Sequence, residues 1–475
     1  MAYSYFDRLS ALDASFLALE SEGVHMHVGT VATFEAGPLA TPDGGIDFDA
    51  ILETCEAGLR RAPRFRQKLA TTPVLGQPVW VDDPDFNLLY HVRHTALPLP
   101  GDERRLKRLT GRIQSQKLDR TKPMWELWFV EGLAGGRFAI ISKVHHCLID
   151  GISGVDLLAA FMGPNEEFAP SPSDHRWMPR PAPGPVGLLA SEVSRRLGAP
   201  GRALRGLASS VQNPEENFES AVHTATGFIE GLAKSFSPAS ETPLNVPIGP
   251  HRRFDWTRFD LAAVREVKQK LGGTLNDVVL ACVSGAVRKY LQREGVEVDE
   301  IDFRAFLPVS TRTENQRGTL GNKVSMLVAQ LPVDESDPRA RVEKIRAETR
   351  ELKKSGQAAG TEVIEELSNW TSTSLLTGLS RLAASQRSYN MVVTNVPGPQ
   401  FPVFLNGARM DESYPLVPLF ENQALGVALF SYDGGLYWGF NADWEAVPDL
   451  HEFVLAVEQE FEVLRKLEAL SGEPE

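Results

Sequence analysis

Between Gly163 and Gly187 the chain reads GPNEEFAPSPSDHRWMPRPAPGPVG, a density of proline and small polar residues that neither helix nor sheet tolerates. A chain of 475 residues broken there cannot build one continuous core, and two domains of about 200 residues joined by a linker are expected. The expected division is residues 1–162, a linker over 163–249 with amphipathic helical segments, and residues 250–475.

Both halves mix helical and strand-like patterns, which predicts an α/β (layered α+β) fold, each half a mixed sheet flanked by helices. In the first half, Asp49 to Leu69 carries Ile51, Leu52, Cys55 and Leu59 at helical spacing, with Arg60, Arg61 and Arg64 toward its end. RFAIISKV, Arg137 to Val144, reads as a buried strand after the Gly135-Gly136 turn. In the second half, Leu261 to Leu271 is a helix closed by Gly272-Gly273, and Thr274 opens another with Asp277 placed for a capping box. Strands are expected over Asp302 to Val309, Lys323 to Val333, Tyr389 to Thr394, Ala424 to Tyr432 and Leu436 to Asn441, the last two joined by an Asp433-Gly434-Gly435 hairpin turn. An amphipathic helix from Leu450 to Leu470 closes the chain. Leu188 to Val211 interleaves leucines with arginines. It reads either as a basic helix lying on anionic lipid or as a linker helix packed on its own protein.

Composition narrows the function. A net charge of -13 disfavours nucleic acid as a partner, because a phosphate backbone needs a basic footprint. Cys55, Cys147 and Cys282 are too few and too scattered for a disulfide framework or a zinc site, which points to a reducing cytoplasm. The N-terminus shows no signal-peptide pattern, and no apolar run reaches the about 18 residues needed to cross a bilayer. Contact with an inner membrane or lipid inclusion would be peripheral.

The densest chemical signal is HHCLIDG, His145 to Gly151, directly after the predicted strand. A rigid strand followed by a turn is a good mount for a catalytic base, and histidine titrates near neutral pH. Alternation along the strand would turn His145 and His146 to opposite faces, which argues against both binding one metal. GxxxxGK[ST], GxGxxG after a strand, HExxH and GxSxG are all missing.

HHCLIDG resembles the HHxxxDG motif of coenzyme A-dependent acyltransferases, the superfamily of chloramphenicol acetyltransferase and peptide-synthetase condensation domains. The chain is similar over nearly its whole length to the bacterial wax ester synthase/diacylglycerol acyltransferase family. The likeness is carried by LSALDASFLALE and VHMHVG (Leu9 to Gly29), KPMWELWFVEGL, TLNDVVLA, PVSTR with LGNKVS (Pro308 to Ser325) and TNVPGP (Thr394 to Pro399). No DFGWG-like segment is present, as is usual for this family.

The resemblance implies two chloramphenicol acetyltransferase-like halves with an active-site tunnel between them. Acyl-CoA is a substrate, no cofactor is bound, and diacylglycerol or a long-chain alcohol is the acceptor; a polyketide or carrier-bound acceptor is the alternative chemistry, and a non-catalytic coat on lipid droplets the alternative role. His146 is the general base, with His145, Asp150 and Gly151 supporting the motif. Asn276 would steady the oxyanion or orient the substrate, with Asp277 in support; pure helix capping is the competing account of both. Asn395, Pro397 and Gly398 would border the tunnel. Cys147 is expected to pack rather than react, as are Pro123, Trp125, Trp128, His25 and His27. Arg304, Arg312 and Lys323 are candidate partners for coenzyme A phosphates, with a solvated or salt-bridged face the stronger reading of each singly.

Overall fold

The computed structural model describes residues 5–73, 76–148, 155–168, 177–197, 238–310, 324–354, 388–467. Asp150, Gly151, Arg312, Lys323 and the stretch from 198 to 211 lie outside the described residues.

Two six-stranded sheets form the frame. In the first, strands run in the order Phe404–Leu405, Ala408–Leu416, His27–Glu35, Arg137–His145, Trp125–Leu133, Val92–Ala96, antiparallel except for the last pair. In the second the order is Val324–Leu331, Phe303–Ser310, Met391–Pro397, Leu425–Tyr432, Gly435–Asp443, Arg252–Asp260. There Met391–Pro397 runs parallel to both its neighbours. One apolar core centres on the first sheet and also takes Phe254, Trp256, Phe430, Tyr432 and Tyr437 from the second, and another packs against the second sheet.

The cut at residue 250 does not separate the two sheets. Ala408–Leu416 belongs to the second half of the sequence yet pairs with His27–Glu35 in the first sheet. It crosses because its other side is held by the second sheet: Tyr432 Oη donates to the Met410 carbonyl at 2.9 Å and Tyr437 Oη to that of Asp411 at 3.0 Å. Gly439 makes the approach possible, since a Cβ there would lie 1.8 Å from the Pro415 carbonyl oxygen.

Local signals set several boundaries. Leu261–Leu271 starts with the Asp260 side chain accepting from Ala263 N and ends at Gly272 with φ of 63°. Leu275–Arg293 begins with the reciprocal Thr274/Asp277 capping box. The hairpin turn falls where expected but is two residues, Asp433 and Gly434 at φ of 41° and 79°, because Gly435 already pairs with Tyr432 in the strand. The Asp49 to Leu69 helix is shorter than expected. It spans Phe48–Gly58, because Gly58 abuts the Phe161 ring and Ala160 carbonyl and Pro63 opens a separate turn, Pro63–Arg66. The arginines at 60, 61 and 64 therefore lie beyond its last turn, and Gln67–Thr71 is a strand.

Residues 177–197 of the linker cling to the first half, whereas residues 238–249 join the second, with Leu244 buried in its core and Ser240 N donating to the Asp302 carbonyl at 3.0 Å. Leu188, on the Pro185–Leu197 helix, is buried against Val79 and Val81. Arg180 forks onto Asp82 at 2.8 and 2.9 Å.

Candidate active site

The strand carrying the histidine pair ends at His145, and His146 opens the turn His146–Leu148. The turn, rather than strand alternation, thus sets the direction of His146. Backbone pairing fixes the junction from both sides: His145 N donates to the Met124 carbonyl at 3.0 Å and His146 N to the Met26 carbonyl at 2.7 Å.

The two rings have different surroundings. His145 is 1% exposed. Its Nδ1 accepts from Cys147 N at 3.2 Å, which places the ring proton on Nε2, 3.7 Å from the Glu20 carboxylate. The same Glu20 oxygen lies 3.7 Å from His27 Nε2, and Arg120 pairs with the other oxygen. Leu118 N completes the knot by donating to His27 Nε2 at 3.4 Å. His145, His27, Glu20 and Arg120 therefore tie together four segments around the turn.

His146 is only partly buried, and the Phe16 ring lies against it with centroids 3.9 Å apart and a 31° tilt. Its Nδ1 is the buried, unpartnered nitrogen, so Nε2 is the one turned outward. Burial pushes the imidazole down to about 4, opposed by its own backbone carbonyl. His145 is pushed down to about 3 by burial, then by the charge of Arg120. Both rings are neutral at physiological pH, the state a general base needs. Burial drives the Cys147 thiol well above its ordinary range, which removes it as a thiolate nucleophile.

Below the turn, Lys143 is fully buried, with Nζ on the carbonyls of Ile113 (3.0 Å) and Gln116 (2.8 Å) at the end of the Glu103–Gln114 helix. A cation there satisfies orphan carbonyls and suits the helix dipole. Burial pulls its pKa below the usual lysine value while Glu126 pulls it up.

On the second sheet, Asn395 Nδ2 donates to Asn276 Oδ1 at 2.8 Å. That bond holds the exposed Asn276 amide and leaves its Nδ2 to donate elsewhere. Asp277 is buried and fully used: it closes the capping box and accepts from Thr349 Oγ1 at 2.8 Å. Pro397 ends its strand exposed, opposite Ser431. Gly398 N donates to the Ser431 carbonyl at 2.9 Å, and a Cβ at 398 would meet the Phe430 ring at 2.2 Å. The structure thus joins Asn276 with Asn395 and His146 with Phe16. No hydrogen bond or ring contact links the two pairs among the described residues.

Trp125 packs as expected, buried with its indole on the Phe65 carbonyl at 2.7 Å, while Arg304 is paired with Asp302. Between the sheets lies a charged cleft of about 350 Å³ lined by Arg137, Arg258, Arg409, Asp411, Glu412 and Asp433 with Tyr437. Arg137 begins the strand that His145 ends, so this cleft is roughly 26 Å from the histidines along the chain.

Residue-by-residue reading missed Phe16, Glu20, Arg120 and Lys143. The signal for the first two was there: Phe16 and Glu20 are four apart in DASFLALE, one face of the Ala11–Leu19 helix and its end.

The family model of the wax ester synthase/diacylglycerol acyltransferase catalytic domain matches residues 9–279, and that of the WS/DGAT C-terminal domain matches residues 320–465. The chain belongs to the wax ester synthase/diacylglycerol acyltransferase family. It is 34% identical over 464 residues to a Mycobacterium tuberculosis protein described as "Probable diacyglycerol O-acyltransferase tgs1", covering 95% of this chain and 94% of that one. A second protein of that organism, tgs2, described in the same words, is 32% identical with coverage of 97% and 99%. Among solved structures, the wax ester synthase/diacylglycerol acyltransferase of Marinobacter aquaeolei superposes with a TM-score of 0.67 at 27% identity, over 96% of this chain and 98% of that one. A condensation domain of the calcium-dependent antibiotic synthetase, 17% identical, shares the fold with a TM-score of 0.60 over 98% and 96% of the two chains.

Proposed function

We propose that this chain transfers a long-chain fatty acyl group from acyl-CoA to the hydroxyl of a diacylglycerol or fatty alcohol, with His146 as general base. The observation that carries the assignment of the base is the contrast within the pair. His145 is buried and tied to the turn, whereas His146 offers an outward Nε2 on a ring kept neutral by burial.

His146 Nε2 takes the acceptor's hydroxyl proton as the oxygen attacks the thioester carbonyl. The tetrahedral intermediate collapses, the C–S bond breaks, and the coenzyme A sulfur takes the proton back from the imidazolium. Asn276 is the group proposed to meet the oxyanion; its Oδ1 is taken by Asn395, so its Nδ2 is the free end. Asp277 supports from within the helix cap. A tunnel between the sheets would bring thioester and hydroxyl to His146 from opposite sides and keep water out.

Acceptors of this kind live in lipid phases, so the enzyme would work at the surface of a membrane or lipid inclusion. Among the described residues no helix is long and apolar enough to cross a membrane.

The purified protein with palmitoyl-CoA should release thiol and form ester when given hexadecanol or dioleoylglycerol. It should remain idle with a carrier-bound amine. Acylation of the amine alone would overturn the acceptor assignment, and no acyl transfer to any acceptor would overturn the reaction.

A further inference from the structure

The Glu103–Gln114 helix, ERRLKRLTGRIQ, carries five basic residues and one acid. Its inner face is spoken for. Leu106, Thr110, Ile113 and Gln114 are buried, and Gly111 lies so close to the Arg252–Asp260 strand that a Cβ would sit 2.7 Å from the Arg252 carbonyl oxygen. Charges near the helix start are matched as well: Arg105 pairs with Asp102, and Lys107 with Glu103 and Asp255. Arg104, Arg108 and Arg112 are left over. All three are exposed and make no ion pair or hydrogen bond among the described residues.

Their spacing of four residues places them in one stripe, about 12 Å long at 1.5 Å per residue. Just ahead of the helix, Leu99 is 89% exposed. An exposed leucine alone means little, but next to a cationic stripe it gives the surface both parts of an interfacial contact, a headgroup-binding charge and an apolar side chain to insert. The rest of the molecule makes this face distinctive. A chain with 62 acidic and 49 basic residues is repelled by an anionic surface unless a local patch turns toward it.

Leu99 lies by the Gly132–Ala134 turn, and the helix runs from there toward the histidine turn. The segment following the helix supplies Leu118 N to His27 and Arg120 to Glu20, and Lys143 holds the helix end from beneath.

We propose that this face, Leu99 with Arg104, Arg108 and Arg112, docks the enzyme on an anionic phospholipid surface, through lipid phosphates. The proposal rests on the reading that the acceptor lies in a lipid phase. Helix and loop are held by the fold, so docking needs no rearrangement and weakens with salt as exposed charges are screened.

The test is sedimentation of the full chain with vesicles of phosphatidylcholine and phosphatidylglycerol in a 70:30 ratio, or of phosphatidylcholine alone, alongside acyl transfer from hexanoyl-CoA to hexanol in vesicle-free buffer. The protein should prefer the anionic vesicles. The triple variant R104Q/R108Q/R112Q should partition on the order of 100-fold less onto them, from about tenfold or less per arginine, and L99S should weaken binding several-fold. Both variants should keep the soluble reaction and the urea midpoint of the parent, since these side chains are exposed. Equal binding to both vesicle types, or undiminished binding by the triple variant, overturns the docking surface. A raised KM for hexanoyl-CoA in the triple variant with vesicle binding intact also overturns it, and assigns the stripe to coenzyme A phosphates instead. Failure of the parent protein to transfer acyl groups in free solution would count against the acyl-transfer reading and leave the vesicle result standing.

Discussion

Lowering the pH should unfold this protein well before its carboxylates titrate, because several histidines are buried neutral. His25, His91 and His146 are pushed from the ordinary value of 6.5 to about 4 and His145 to about 3, burial being the largest cause in each. The folded state binds protons at these rings less readily than the unfolded state. Stability they contribute is therefore complete above the ordinary histidine value and is lost as the pH falls from there toward about 4. A ring with those two values loses about 1.2 kcal/mol of stability between about pH 7 and about pH 5.5. The four together lose about 5 kcal/mol, comparable with the whole stability of an ordinary domain, typically about 5–15 kcal/mol.

The assay is the urea midpoint at those two pH values, converted through a shared slope. His91→Phe isolates one member. His91 is stacked on Trp125 at 4.6 Å and Phe86 at 5.2 Å, so a phenyl ring keeps the packing. It gives up the 2.8 Å bond from Nδ1 to the Trp125 carbonyl, costing about 1 kcal/mol at every pH. The pH-dependent loss should shrink by about a quarter. A fall of under about 1 kcal/mol in the parent, or an unchanged pH dependence in His91→Phe, would refute the reasoning.

Other substitutions probe the site more directly. Asn276→Ala and Asn395→Ala should each lower kcat by about 10- to 100-fold with little change in KM, and the double variant should be less than additive, because one side chain holds the other; a double-mutant cycle on initial rates measures the coupling. Gly398→Ala should cost about 1–3 kcal/mol in a urea titration, since its Cβ meets the Phe430 ring and the Ser431 carbonyl.

Much of the second half was legible because its boundaries are written in local chemistry. Gly272 past a helix, Thr274 with Asp277 at a cap and Asp433-Gly434 at a hairpin act within a few residues of themselves. The crossing of Ala408–Leu416 into the first sheet was not legible, because its cause is a distant pair of tyrosine hydroxyls and the bare Cα of Gly439. The candidate site divides in the same way. HHCLIDG marked the turn proposed to carry the base, but the partners of that turn come from residues far away in sequence. Glu20 reaches His27 and His145 only because strands at 27 and 145 lie side by side. Lys143 looks like one charge in an apolar strand until the end of the Glu103–Gln114 helix is placed over it.

The central claim is that His146 takes the acceptor's proton. Its most direct test is the rate of ester formation from palmitoyl-CoA and hexadecanol by His146→Ala, with His145→Ala as companion and the urea midpoint of each measured alongside. The account predicts that His146→Ala folds as the parent does and loses about 100- to 10,000-fold in kcat. His145→Ala should lose stability first, since its ring is buried in the knot with Glu20 and His27. An unchanged ester rate in a well-folded His146→Ala would contradict the account.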